Sequence, residues 1–177
     1  MICAHRALTR LAKRSQWALG ALGLAVCACG RGPGERASLE ARLVLSARDT
    51  LRIRARASAH YCHPRGVLLF AIDGGSGVLV WARDSGLVTS GDYALLTRGD
   101  SITPRGAMVS VRFVNGEAGR GVTLDSGKVT LSRDGGRIGA RARGSGLEPT
   151  GGVRLGLDAT FESMPLARDT TTCRQQI

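Results

Sequence analysis

The sequence has few aromatic side chains and few histidines. Phe, Trp and Tyr together make up 4% of its 177 residues, and only three residues are histidine. Proteins that hold single-stranded nucleic acids stack the bases on aromatic rings, and this chain offers few such rings. We therefore expect no nucleic-acid partner, even though the formal net charge is +11.

The chain also lacks an apolar run long enough to span a bilayer comfortably. Its N-terminal apolar run covers residues 17–28, whereas a membrane-spanning helix needs about 20 residues. Before this run, residues 1–16 contain four cations and no acid. A cationic segment followed by a short apolar core is typical of a secretory signal peptide. Glycine and proline in residues 30–34 then favour a flexible chain.

The motif at the end of the apolar run, Val26-Cys27-Ala28-Cys29, resembles a bacterial lipobox. In lipoproteins with this motif the cysteine thiol receives a lipid and the chain is cut just before it. The resemblance implies lipidation at Cys29 and attachment to the membrane. Gly30 resembles the residue found there in lipoproteins sorted to the outer membrane, facing the periplasm or the exterior. The alternatives are an ordinary signal peptide cut nearby and a retained membrane helix.

This resemblance divides the chain into three segments. Residues 1–28 are expected to be a cleaved lipoprotein signal peptide, residues 29–37 a flexible tether, and residues 38–177 a single β domain. The mature domain has a suitable length for one hydrophobic core.

The lipoprotein interpretation also accounts for the five cysteines. Cys3 and Cys27 would leave with the signal peptide, and Cys29 would carry the lipid. Cys62 and Cys173 are then the remaining pair in an oxidising compartment. We expect them to form a disulfide that holds the C-terminus to the loop after the second strand.

The positive charge of the domain comes almost entirely from arginine. Removing four leader cations from the 25 in the chain leaves 21 against 14 acids, and Lys128 is the only lysine among them. Arg52, Arg54 and Arg56 alternate with apolar residues, so a strand would present all three on one face. They form a candidate anion-binding face; a composition rich in arginine and solvated strand faces would give the same pattern.

Short apolar or alternating runs separated by glycine-rich turns fill the rest of the chain, and no long helical pattern is present. About eight to nine short strands predict an all-β fold, an antiparallel β-sandwich or β-barrel. The first run, residues 39–45, could also form a short helix. The runs lie at residues 39–45, 51–57, 67–72, 78–82, 93–97, 107–114, 122–124, 128–133, 137–143 and 153–161.

Three segments of the second half, Ser126-Gly-Lys-Val-Thr-Leu, Gly136-Arg-Ile-Gly-Ala and Leu157-Asp-Ala-Thr-Phe, resemble a repeated motif of small bacterial β lipoproteins of unknown function. This resemblance supports the fold and the compartment and implies no chemistry.

The segment Arg98-Gly-Asp-Ser-Ile-Thr103 resembles the first block of the Gly-Asp-Ser esterases, with Ser101 as the nucleophile. That family also needs a histidine base late in the chain. The histidines of the domain, His60 and His63, precede Ser101, so we interpret the segment as a turn.

His60 and His63 flank Cys62, and two imidazoles with a thiol could bind zinc or copper. A disulfide at Cys62 would remove the thiolate. We therefore predict a polar loop here, no metal site and no cofactor.

These patterns predict a lipid-anchored cell-envelope protein without catalytic activity, acting by binding or assembly. Its expected partners are the membrane and an anionic envelope component or an envelope protein. The alternatives are a carrier of lipid or a small ligand with a hollow β-barrel, and an envelope hydrolase using Ser101.

Overall fold

The computed structural model describes residues 38–62 and 66–171, with side chains up to residue 167. The described residues belong to one compact unit, Pro33–Ile177, and they form ten β-strands without a helix. The strands are β1 (Ser38–Val44), β2 (Thr50–Cys62), β3 (Gly66–Asp73), β4 (Ser76–Arg83), β5 (Gly91–Ala94), β6 (Gly106–Asn115), β7 (Ala118–Thr123), β8 (Ser126–Asp134), β9 (Arg137–Leu147) and β10 (Arg154–Thr171).

Alternation of apolar and polar residues accounts for the first strands. In β1, Leu39, Ala41 and Leu43 are buried, while Glu40 and Arg42 are exposed. Because successive side chains of a strand point to opposite faces, this pattern buries one face and leaves the other in water. The helical alternative for residues 39–45 is therefore wrong, and the strand prediction is confirmed.

The first and last strands are neighbours at the centre of the sheet. The strand order is β5-β8-β9-β10-β1-β2-β3-β4-β6-β7. β1 is antiparallel to both β2 and β10, and it begins at Ser38, opposite Arg56. Beyond that point β2 and β10 pair directly with each other, in parallel.

The long strands β2 and β10 therefore take part in two layers. The first layer contains β1, β5, β8 and β9 with the earlier parts of β2 and β10; the second contains β3, β4, β6 and β7 with their later parts. One hydrophobic core draws on both layers, for example on Leu43 and Phe161 from the first and on Val80 and Phe113 from the second. The all-β, sandwich-like class is confirmed.

The sheet is open rather than closed into a barrel, since β5 and β7 are its edge strands. The barrel alternative is therefore wrong for the described residues. Each of the ten apolar runs coincides with or overlaps one strand, so the sheet has ten strands where eight to nine were expected. Two glycine-rich segments lengthen β7 and β8, because they pair as strands rather than turning.

The first segment runs from Gly116 to Gly121 and was expected to be a loop. Its turn is confined to Gly116 and Glu117, because Asn115 already pairs with Ala118. The second segment, Asp125-Ser-Gly127, was expected to be a turn, but Gly127 lies within β8, opposite Gly144 of β9. A Cβ atom on either glycine would come within 2.1 Å of a backbone oxygen on the partner strand, so these strands can pair closely only with glycine there.

The outer side of the second layer carries a small apolar cluster. Cys62 and Leu68 are only 3% and 2% exposed, and Phe70, Leu79 and Trp81 pack against them. Cys62 is the last residue of β2, so the loop expected around it is instead a strand end. Within the described ranges, there is no helix with the length and hydropathy needed to cross a membrane.

Candidate anion-binding surface

The outer side of the first layer carries most of the strand cations. Arg52, Arg54 and Arg56 point outward from β2, as the alternation predicted. The register of the layer adds cations from β1, β8 and β9 to this surface. We call seven of these cations the arginine face: Arg42, Arg52, Arg54, Arg56, Lys128, Arg141 and Arg143.

Four acids lie among the cations of the arginine face, and three of them are engaged by those cations. Glu40 pairs with Arg54 at 3.2 Å. Asp158 lies 3.0 Å from Arg143 and 3.5 Å from Arg141. All these groups are well exposed, so the pairs add little to stability and mainly orient the side chains. The fourth acid, Glu162, is exposed on β10.

Asp92 at the β5 edge is held by two donors from β8. The Lys128 ammonium donates to its carboxylate at 2.7 Å and the Thr130 hydroxyl at 2.6 Å. These hydrogen bonds, from Lys128 first, lower the pKa of Asp92 below its ordinary value. Asp92 is therefore a fixed anion that neutralises Lys128, and the uncompensated charge of the surface lies at β1 and β2.

Three arginines carry that uncompensated charge. Arg42, Arg52 and Arg56 are exposed, and none of them has a carboxylate within 4 Å in the described part of the chain. Arg42 and Arg52 stand directly opposite each other across β1 and β2. Like charges in directly opposed positions destabilise a sheet. An anion bound between these two guanidinium groups would relieve their repulsion.

The Ser101 segment is a turn organised by its neighbour, Asp100. The Asp100 carboxylate accepts hydrogen bonds from the Thr103 hydroxyl and from the backbone N–H groups of Thr103 and Ile102. The Arg83 guanidinium donates to it at 2.8 Å. These donors, the Thr103 hydroxyl first, lower the pKa of Asp100 to about 2. The carboxylate is thus used to shape the loop, and Ser101 lies exposed beside it.

The histidine and cysteine candidates are only partly within the described residues. His60 lies on the outer side of β2, where its ring stacks on Phe70 at a centroid distance of 5.5 Å. In the described residues no group of three or more His, Cys, Asp or Glu side chains could hold a metal ion. His63, Cys29 and Cys173 lie outside the described residues, so the predictions about them stay predictions.

Sequence reasoning found Arg52, Arg54 and Arg56 and missed the rest of the arginine face. Arg141 and Arg143 carry the same alternation signal in β9. Their position beside β1 and β2, however, depends on β10 inserting between β9 and β1. Pairing between strands so distant along the chain is not visible in a single sequence.

Sequence reasoning also missed a buried carboxylate. Glu148 is 2% exposed and accepts hydrogen bonds from the backbone N–H groups of Thr150 and Gly151. Burial opposes its ionisation, but these hydrogen bonds, Gly151 first, outweigh burial and keep its pKa below the ordinary value. The charge of Arg120 acts in the same direction. Glu148 thus stabilises the conformation of the loop between β9 and β10, which is a structural role.

Comparisons with protein-family models, with characterised proteins and with solved structures gave no match.

Proposed function

We propose that the protein is a lipid-anchored cell-envelope protein that works as a binding module without catalytic activity. Its partner is an anionic component of the envelope surface, which it contacts through the arginine face. Lipidation at Cys29 would hold the domain beside that surface. An anchored cationic domain meets anionic lipids and glycolipids at high local concentration, and electrostatic attraction then adds to the anchor.

The observation that carries this proposal is the juxtaposition of Arg42 and Arg52, neither of which forms an ion pair within the described residues. Asp158 lies opposite Arg42 on the other side of β1, yet its carboxylate contacts Arg141 and Arg143 instead. The two guanidinium groups thus remain available for a phosphate or carboxylate, which arginine binds in bidentate fashion.

The hollow-carrier alternative needs an enclosed interior, and the hydrolase alternative needs a base for Ser101. The described structure has an open sheet whose inward side chains form one core. Its one described histidine in the domain, His60, stacks on Phe70. Neither observation favours these alternatives, so we propose neither.

Binding to purified lipopolysaccharide, with phosphatidylcholine vesicles as the neutral comparison, tests the proposal. We expect the full chain to bind lipopolysaccharide and to lose affinity as salt is raised, because exposed charges are screened. Arg42→Gln and Arg52→Gln should each weaken binding about tenfold, since each removes a charge-assisted hydrogen bond.

Arg98→Gln is the matched control. Arg98 is exposed in the loop after β5, outside the arginine face, and its substitution makes the same change in net charge. Equal losses for Arg98→Gln and Arg42→Gln would show that only net charge matters, and would overturn the assignment of the arginine face. No binding at all would overturn the proposed partner.

The same proposal includes the disulfide between Cys62 and Cys173. In the parallel pairing of β10 with β2, Thr171 stands opposite Cys62. In the sequence, Cys173 follows Thr171 by two residues. This register supports the pairing that the count of cysteines suggested.

A further inference from the structure

Ile72 is an exposed aliphatic side chain in an unusual place. It is 66% exposed, the highest value among large apolar residues of the described strands. It lies near the end of β3, next to the hairpin turn that leads into β4. A single exposed aliphatic side chain is common on a protein surface, so the significance of Ile72 depends on its neighbours.

The register places Ile72 between two arginines. Ser38 is opposite Arg56, and the β2–β3 pairing, continued by one residue from Ala57 and Ala71, puts Arg56 beside Ile72. Ile72 is opposite Gly77, and Gly77 is opposite Arg112 of β6. We call this line across five strands the tether-proximal row: Ser38, Arg56, Ile72, Gly77 and Arg112.

Gly77 has no room for a side chain. A Cβ atom at this position would lie 2.3 Å from the Ala71 carbonyl oxygen and 2.8 Å from the Cγ1 atom of Ile72. Because Gly77 has no side chain, only Ile72 stands between Arg56 and Arg112. The row thus alternates cation, aliphatic group and cation.

Both arginines of the row are available to a ligand. Arg56 and Arg112 are exposed and have no ion pair in the described part of the chain. A surface groove of about 600 Å³ adjoins the row, lined by Ser38, Arg54, Arg56 and Ile72 among others. Glu40 and Asp73 also line it. Glu40 is paired with Arg54, whereas Arg56 makes no ion pair with Asp73 or with any other described acid.

We propose that the tether-proximal row is the contact of the domain with the phospholipid bilayer. Ile72 enters the interfacial region of the bilayer, and Arg56 and Arg112 bind headgroup phosphates on either side of it. Basic residues around an apolar residue are the combination that holds proteins at a membrane surface.

This inference rests on the proposed lipid anchor. The chain between Cys29 and Ser38 reaches at most about 30 Å when fully extended. Since Ser38 is the first residue of the row, the tether limits how far this end of the row can lie from the bilayer. An anchored domain therefore keeps Ser38, with Arg56 opposite it, within reach of the lipid.

Tryptophan fluorescence in vesicles tests the inference. The full chain, extracted from its own envelope, is reconstituted by its anchor into vesicles of phosphatidylethanolamine and phosphatidylglycerol with brominated acyl chains, which quench a tryptophan in contact with them. The variants are Ile72→Trp and, as the matched control, Leu87→Trp. Leu87 is also 66% exposed, but it lies in the loop beyond the other end of β4. The unsubstituted protein supplies the background from Trp81.

We expect loss of fluorescence for Ile72→Trp and none for Leu87→Trp, each relative to the unsubstituted protein. Adding Arg56→Gln and Arg112→Gln to Ile72→Trp should reduce the quenching. Flotation of the vesicles shows separately whether the chain is anchored in them. A chain that floats with the vesicles but shows equal quenching at both positions would overturn the row and leave the anchor standing. A chain that fails to float would refute the anchor, and the row with it.

Discussion

Asp100 shows how a single residue can resemble a catalytic motif and serve the fold instead. Its carboxylate receives three hydrogen bonds from the loop that follows it and one from Arg83 of β4. Arg83 in turn lies over the Trp81 ring, with its Cζ atom 5.4 Å from the ring centroid. The residue that made Ser101 look like a nucleophile therefore ties a surface loop to the second layer.

The pH dependence of stability should reveal this role. Because the pKa of Asp100 is lowered to about 2 in the folded chain, its ionised form stabilises the fold above its ordinary pKa. That stabilisation is lost as the pH falls from about 4 through 2. We expect the Tm of the Asp100→Asn protein to fall less steeply than that of the parent over this range.

Asp134→Asn is the control for this measurement, because Asp134 is an exposed residue at the end of β8. Asp134 makes no ion pair with a described residue, so this variant shows the effect of replacing an exposed carboxylate that does not hold a loop. Asp92 and Asp125 also have a lowered pKa. They contribute equally to the pH dependence of stability in all three proteins. Parallel curves for the parent and Asp100→Asn would contradict the role given to Asp100.

Among the elements, the segment between β4 and β5 depends most on one side chain. Tyr93 of β5 is fully buried; its hydroxyl donates to the Thr89 carbonyl at 2.9 Å and accepts from the Thr89 N–H at 3.0 Å. The Arg105 guanidinium lies over the tyrosine ring and also pairs with Asp84 at 3.2 Å. One tyrosine thus holds the connecting segment against the end of the sandwich.

Tyr93→Phe should lower the free energy of unfolding by about 1–3 kcal/mol, because it leaves two backbone groups of Thr89 without their partner. Tyr61→Phe is the matched control. The Tyr61 hydroxyl is buried and has no hydrogen-bond partner among the described residues, so its removal should be neutral or stabilising. Urea denaturation measures both. Equal losses would mean that the hydroxyl of Tyr93 does not anchor the segment.

Among the strands, the sequence predicted those in which apolar and polar residues alternate. The runs beginning at residues 39, 51, 107 and 153 all lie in strands. The glycine-rich strands escaped prediction because glycine signals turns locally, whereas Gly127 and Gly144 are required by close contact between strands. The latter part of β10 was not predicted, because its partner, the end of β2, is distant in the sequence.

The whole molecule presents two chemically different outer sides. The first layer is covered by charged side chains, whereas the second carries the cluster around Leu68 and Trp81. The sequence predicted the arginines of β2 but not the size of the face, because that depends on the order of the strands. It also could not show that Ile72 shares a row with arginines from two other strands.

The proposed disulfide acts on the molecule as a whole. Reduction should add two hydrogens to the intact mass and lower the Tm, because a closed loop of about 100 residues stabilises the fold by up to about 4.7 kcal/mol in the chain-entropy model. Cys62→Ser, Cys173→Ser and the double variant should be destabilised alike. An unchanged mass and Tm on reduction would rule the bond out.

The position of β1 between β2 and β10 has a consequence for folding during synthesis. β1 gains its second neighbour only when β10 has left the ribosome. Such long-range pairing slows folding. A nascent chain would thus stay incompletely folded until β10 has been made. By the same reasoning, a chain cut short before β10 would expose the edges of both β1 and β9, inviting aggregation.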